Sequence, residues 1–226
     1  MKLGVIVFPG SNCERDMADA GKLYLQEEVQ LIWHDESLDL SSFSAILLPG
    51  GFSFGDYLRS GALAQFSPAM QAVKRFAEQG GPVLGVCNGF QILTESGLLP
   101  GALRRNESMK FQCQQADLIV ENNKTPFSNA YKAQEKITLP IAHADGNYYA
   151  PPELLSQLEE RGQIVLRYAE PVNGSINCIA GICNERGNVV GMMPHPERNL
   201  WSGIAWSGHG SRVFDSLKQH FALAAI

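Results

Sequence analysis

Pro82-Val83-Leu84-Gly85-Val86-Cys87-Asn88-Gly89-Phe90-Gln91-Ile92-Leu93 joins an apolar run, a Gly-x-Cys-x-Gly turn and a further apolar stretch with helical character. The run up to Val86 has the pattern of a strand covered on both faces. Glycines on either side of Cys87 permit a sharp turn that lifts one side chain above a sheet. A thiol there stands at a helix N-terminus, where free N–H groups and the helix dipole favour the thiolate. Cys87 is therefore the candidate nucleophile. The plain alternative is a small buried hydrophobe.

Outward from this turn the chain alternates. Leu3 to Phe8 reads as a buried strand, broken by Pro9-Gly10-Ser11-Asn12. Asn12 or Ser11 is placed to cap a helix running to about Glu27. Strands follow at Val29 to Trp33 and Ser44 to Leu48, then a helix from about Pro68 to Glu78, closed by Gln79-Gly80-Gly81 before Pro82 opens the next strand. This spacing predicts an α/β fold with a parallel sheet and helices on both faces. The middle differs. Asp117 to Val120, Ile137 to Ile141, Ile164 to Arg167 and Ile176 to Ile182 are short β-like runs separated by Asn122-Asn123, Asp145-Gly146 and Asn173-Gly174. They predict antiparallel strands added to the parallel sheet. Glu185-Arg186-Gly187-Asn188 predicts a hairpin turn into Val189 to Met193. A last helix is expected from about Ser211 to Leu223, with Val213, Phe214, Leu217 and Phe221 on one face. No repeat or linker divides the chain, so residues 1–226 are read as a single domain.

Bulk properties narrow the classes. The 226 residues are 45% hydrophobic and 18% charged, with net charge −5, the profile of a globular protein with no basic run for nucleic acid. No apolar run reaches the length of a membrane span, and the N-terminal run is too short for a signal sequence. Cys13, Cys87, Cys113, Cys178 and Cys183 are odd in number and widely spaced, without a Cys-x-x-Cys. Neither a disulfide framework nor a metal site is indicated, and a cytoplasmic location fits.

A thiol nucleophile needs a base, and the base needs an orienting group. Of the five histidines, His195 stands in Met193-Pro194-His195-Pro196-Glu197, where an apolar strand meets a proline-stiffened turn. In an extended segment residues two apart share a side, which brings Glu197 to the imidazole and fixes its tautomer. An oxyanion needs two N–H donors. Asn88, after the nucleophile, supplies one, and the loop Gly50-Gly51-Phe52-Ser53-Phe54-Gly55-Asp56 is the candidate for the other. Cys13 is the rival nucleophile but lacks the strand and glycine framing. His143 lies in a polar loop, His143-Ala144-Asp145-Gly146, with a candidate place in the pocket wall. His34 reads as a satisfied loop residue. Neither Gly-x-x-x-x-Gly-Lys-Ser/Thr nor Gly-x-Gly-x-x-Gly occurs, so the sequence offers no nucleotide loop of its own.

At this point the chain resembles the class I, triad-type glutamine amidotransferases, over its whole length. Cys87, Gly50-Gly51 and His195-Pro196-Glu197 follow the order of that family. The strings Pro9-Gly10-Ser11-Asn12-Cys13, Gly50 to Arg59, Leu103-Arg104-Arg105-Asn106 and Met192 to Arg198 look like the branch that forms the glutaminase subunits of phosphoribosylformylglycinamidine synthases, in purine synthesis. The resemblance implies a flavodoxin-like, doubly wound sheet and a Cys87-His195-Glu197 triad that splits glutamine into glutamate and ammonia through a γ-glutamyl thioester. It implies oxyanion donors at Gly51 and Asn88, and substrate contacts from Gln91, Gly50, Phe52 and His143. It implies no cofactor in this chain. A large synthetase subunit would use ATP and magnesium on formylglycinamide ribonucleotide, with a small accessory subunit in the same complex. Other readings are an amidotransferase serving another acceptor and a deglycase- or peptidase-like cysteine hydrolase. The latter commonly carries histidine directly after the cysteine, where this chain has Asn88.

Overall fold

In the computed structural model, which describes residues 1–203 and 206–224, the elements follow the order β1 (Lys2–Val7), α1 (Glu14–Asp19), β2 (Glu28–Trp33), β3 (Ala45–Leu48), α2 (Pro68–Glu78), β4 (Val83–Val86), α3 (Asn88–Glu95), β5 (Ala102–Arg104), β6 (Gln112–Val120), β7 (Lys136–His143), β8 (Asn147–Tyr149), α4 (Pro152–Glu160), β9 (Ile164–Tyr168), β10 (Ile179–Cys183), β11 (Val189–Met192) and α5 (Ser211–Ala224). Nine strands form one sheet in the order β2-β1-β3-β4-β11-β10-β9-β6-β7, while β5 and β8 pair separately. The first five strands of the sheet are parallel. The remaining four pair antiparallel.

Parallel register puts paired residues on one face of the sheet. Gly4, Ile46 and Val83 are in register. On that face Gly85 lies against Leu93, and Gly191 against Phe90 and Leu99, so α3 packs there. The opposite face carries Leu3 and Val29, which meet Gly21 in the turn that extends α1. Helices therefore cover both faces. The residues of β3, β4 and β11 are buried throughout, because a strand covered twice has no wet side. Phe90 is completely buried and stacks on Tyr148 at a centroid distance of 6.0 Å. Phe90→Ala is expected to cost about 3–5 kcal/mol of stability, read as a lowered denaturation midpoint.

Several local expectations are corrected. The first helix starts after Cys13, whose side chain makes no capping bond, and it passes into a wide π turn over Ala20–Tyr24 instead of running on to Glu27. Ser11 is spent elsewhere: its hydroxyl accepts from the Phe8 N–H, and the residue bridges to Gly51. The expected antiparallel strands are added to the parallel ones in a single sheet, but the run from Ile176 begins as a 3-10 turn before β10, and β6 and β7 are longer than expected. Helix α4 was not anticipated. Helix α2 keeps its expected limits, with the Ser67 hydroxyl accepting from the Met70 N–H.

Candidate active site

Open α/β sheets place their sites beyond the carboxyl ends of the strands, where strand order reverses. Here the order reverses between β1 and β3. The segments that follow β1, β3, β4 and β11 are Pro9–Cys13, Pro49–Asp56, the Cys87 turn and Pro194–Arg198.

Cys87 has φ 52° and ψ −105°, outside the regions that suit an L-residue. The turn holds because both ends are fixed. The Cys87 N–H donates to Met192 O at 2.8 Å, and Cys87 O accepts from the Gln91 N–H at 3.1 Å. The flanking glycines allow the approach: a Cβ on Gly89 would run into Leu48 O, and one on Gly85 would press on Gly89 O at 2.6 Å. The thiol is 6% exposed and faces Ala142 O at 3.6 Å.

His195 is 2% exposed, and its N–H donates to Pro140 O at 2.8 Å. Its Nδ1 lies 2.7 Å from Glu197 Oε1, and Glu197 is 4% exposed. The contact forms across the 3-10 turn Pro196–Arg198, not along an extended segment as the sequence suggested. With Nδ1 engaged, Nε2 is left for chemistry, and it has no hydrogen-bond partner among the described residues. Burial, the largest single influence, lowers the His195 pKa. The charge of Glu197, with the Cys87 and Cys13 sulfurs close by, outweighs burial and holds it well above its ordinary value.

Gly50 is the point where these groups converge. A Cβ there would stand 2.7 Å from His195 Cε1, 2.9 Å from Cys13 Sγ and 3.5 Å from Cys87 Cβ. Only glycine leaves room for thiol and imidazole on one spot. The structure thus brings Cys87, His195, Glu197 and Gly50 together. Gly51 is anchored by the bonds on either side of its bridge to Ser11: Asn12 N–H to Gly50 O at 3.2 Å and Phe52 N–H to Gly10 O at 2.8 Å. Neither the Gly51 N–H nor the Asn88 N–H has a backbone acceptor among the described residues.

The walls are tied to the same helix. Asn88 Oδ1 accepts from the Ser53 N–H at 3.1 Å, Asn88 Nδ2 donates to Gln91 Oε1 at 2.8 Å, and Gln91 Nε2 donates to Asp145 O at 2.7 Å. Ser60 Oγ donates to Asp145 Oδ2 at 2.7 Å. Non-glycine residues with positive φ, Phe54 at 54°, Asp56 at 54° and Leu58 at 69°, mark the loop that follows β3 as strained. Burial, with the nearby Asp145, raises the Asp56 carboxyl above its ordinary range, against the opposing influence of the Ser60 hydroxyl. Phe52 is 45% exposed at the rim, whereas His143 is 2% exposed inside the wall.

Sequence reasoning weighed Cys13 only as a rival nucleophile and missed that it sits beside the imidazole with Arg198 behind it. Cys13 Sγ lies 4.0 Å from His195 Nδ1 and donates to Asn12 Oδ1 at 3.0 Å. Arg198 Nη2 donates to that sulfur at 3.0 Å, and Arg198 Nε to Asp16 Oδ2 at 3.0 Å. Burial pushes the Cys13 thiol pKa up despite the His195 contact, which suits a packed thiol better than a nucleophile. Donor atoms of Cys13, His195 and Glu197 lie within 4.8 Å of one another. The short Glu197–His195 bond and the guanidinium against the sulfur make this a hydrogen-bond cluster with poor geometry for a cation. No helix among the described residues is long and apolar enough to cross a membrane.

Residues 1–213 match the model of the CobB/CobQ-like glutamine amidotransferase domain. PurLQS from Thermotoga maritima is 44% identical in sequence, with a TM-score of 0.88 over 97% of this chain and 98% of that chain. A second solved structure, a glutamine amidotransferase from Thermotoga maritima, shares 16% identity and a TM-score of 0.60 over 100% of this chain and 86% of that one, a likeness of fold.

Proposed function

The chain belongs to the CobB/CobQ-like glutamine amidotransferase family, and from that premise we propose that residues 1–226 act as one glutaminase domain feeding ammonia to a phosphoribosylformylglycinamidine synthetase. The observation that carries the chemistry is the packing of Cys87, on its strained turn, and the Glu197-bound His195 against the same glycine.

In this reading the Cys87 thiolate attacks the carboxamide carbon of glutamine. The oxyanion takes hydrogen bonds from the Gly51 and Asn88 N–H groups. His195 gives its proton to the departing nitrogen as the C–N bond breaks, leaving ammonia and a γ-glutamyl thioester. The same imidazole then takes a proton from water as that water attacks the thioester, and glutamate leaves with Cys87 restored. Glu197 orients the ring and stabilises its charge. Gly50, Phe52, Gln91 and His143 border the substrate. Gln91 spends one N–H on Asp145 O and one lone pair on Asn88, so its second N–H and second lone pair are free for glutamine.

The purine assignment is supported by the strings quoted from the sequence and by the 44% identity to PurLQS. ATP, magnesium and formylglycinamide ribonucleotide belong to the large synthetase subunit, with a small accessory subunit completing a cytosolic complex. Ammonia freed into neutral water becomes mostly ammonium, which is not a nucleophile, so tight association serves the chemistry. The test is to mix the chain with glutamine, ATP, formylglycinamide ribonucleotide and the synthetase. Formation of the amidine with equal release of glutamate is expected. Glutamate release with no amidine, while another acceptor is aminated, would contradict the assignment.

A further inference from the structure

The string Pro9-Gly10-Ser11-Asn12-Cys13 takes no chemical step in the proposed reaction, yet it ends in a thiol that is 1% exposed and lies against the site. Cys13 reaches two separate parts of that site. Its backbone N–H and that of Asn12 both donate to Gly50 O, each at 3.2 Å. A trans peptide points its carbonyl and its N–H in opposite directions. The grip on Gly50 O therefore turns the Gly51 N–H, an oxyanion donor in the reading above, away from Asn12 and Cys13. The side chain of Cys13 meets the imidazole. Its sulfur lies 2.9 Å from the point where a Gly50 Cβ would stand, His195 Cε1 lies 2.7 Å from the same point, and the sulfur is 4.0 Å from His195 Nδ1.

The sulfur is itself held. The thiol hydrogen goes to Asn12 Oδ1 at 3.0 Å, and Arg198 Nη2 donates to the sulfur at 3.0 Å. With its hydrogen spent, the sulfur faces Nδ1 only as an acceptor, in the same sense as Glu197 Oε1 at 2.7 Å. Both favour the tautomer that leaves Nε2 free. Arg198 Nε is anchored on Asp16 Oδ2 at 3.0 Å, and Arg198 directly follows Glu197 in the 3-10 turn Pro196–Arg198. One guanidinium thus ties α1 to the turn that presents the carboxylate. A thiol that only fills space needs none of these bonds. We propose that Cys13 is a positioning residue that ties the Gly50–Gly51 peptide to the His195–Glu197 pair, and that Arg198 is the clamp that holds its sulfur in place. This rests on the glutaminase reading above and extends it to residues with no chemical step of their own.

The test compares Cys13→Ala, Cys13→Ser, Arg198→Met and Arg198→Lys with the parent chain in the presence of its synthetase. Steady-state glutamine hydrolysis is combined with an NMR titration of His195 and the thermal midpoint by calorimetry. The groups that act on the ring are Glu197, Cys13, Cys87 and His143, with Arg198 and Asp16 behind the Cys13 sulfur. Cys13→Ala is expected to lower kcat about tenfold to a hundredfold and to leave KM for glutamine within about twofold, the pattern of slightly misplaced reacting groups. Against burial, which lowers the His195 pKa most, Cys13 is one of the groups that raise it, so in Cys13→Ala the titration should move to lower pH. Serine keeps one donor and an acceptor at this position, so Cys13→Ser should recover most of kcat and of the titration. Arg198→Met should lower kcat about tenfold, and Arg198→Lys, which keeps the charge and one donor, should lie between it and the parent. Parent kcat and parent His195 titration in both Cys13→Ala and Arg198→Met would overturn the proposal. So would a Cys13→Ala that melts earlier yet keeps both values per folded molecule, since packing alone gives that result. Full glutamine hydrolysis by Cys87→Ala would instead overturn the glutaminase reading, leaving the His195 titration in Cys13→Ala to report on Cys13 separately.

Discussion

Cys87→Ala is expected to reduce glutamine hydrolysis by at least about ten-thousandfold while the chain remains folded. The substitution removes the sulfur that would form the thioester, and no second group can inherit the role. Cys13 lies on the Nδ1 side of His195, at 4.0 Å, away from the free Nε2. It is 1% exposed, and burial raises its pKa. Alanine at position 87 should fit easily, since the thiol makes one long contact, to Ala142 O. Relief of a side chain smaller than cysteine at φ 52° is slight, so the melting temperature should barely move. Glutamate release by assay and the thermal midpoint by calorimetry check the two halves of the expectation.

The second large effect falls on Glu197. Glu197→Gln preserves shape but replaces a buried carboxylate with a neutral amide beside the imidazole. Activity is expected to fall about a hundredfold to ten-thousandfold. Two causes act together. The amide can present its N–H₂ to Nδ1 and favour the wrong tautomer. It also withdraws the negative charge that, with Cys87, outweighs burial and keeps the His195 pKa high. With the carboxylate gone, the largest influence opposing burial is lost and the pKa must fall. The imidazole then has less hold on the proton it must deliver to departing ammonia. NMR titration of His195 should show the downward shift, and an unchanged His195 titration would show that Glu197 does not govern the ring.

Most of the parallel half was legible because its signals are local. Continuous apolar runs in β1, β3 and β4, the Ser67-Pro68 start of α2 and the glycines around Cys87 each carry their meaning within a few residues. Legibility failed where long-range contacts or very short elements decide. Strands β5 and β8 have three residues each and exist only by pairing with each other. Helix α4 is short, and its apolar face, Leu154, Leu155 and Leu158, spans little more than one turn, too little for a helical period to stand out. The first helix widens into a π turn where Gly21 packs on Val29 and Leu3. No periodicity in the sequence reports that close approach.

The site divides in the same way. Cys87, His195 and Glu197 stood out because each sits in a local pattern of glycine or proline. Their approach to one another depends on β4 and β11 being sheet neighbours in register, Gly85 beside Gly191 and Val86 beside Met192. The sequence suggested the right pair in His195 and Glu197 for an incomplete reason, since a tight turn makes the contact. Cys13 stood out only as a rival nucleophile and Arg198 only within a longer string; their place beside the imidazole and its carboxylate was not legible. Cys13 and His195 are 182 positions apart, and Cys13 and Arg198 are 185 apart, and no local pattern encodes such meetings.

The most direct measurement is to quench the chain with acid during turnover of glutamine, digest it, and locate the γ-glutamyl group by mass spectrometry. The account predicts the modification on the peptide carrying Cys87, lost in Cys87→Ala and accumulating when water attack is slowed. A γ-glutamyl group on the peptide carrying Cys13, or sustained turnover with no acylated cysteine at any quench time, would contradict it.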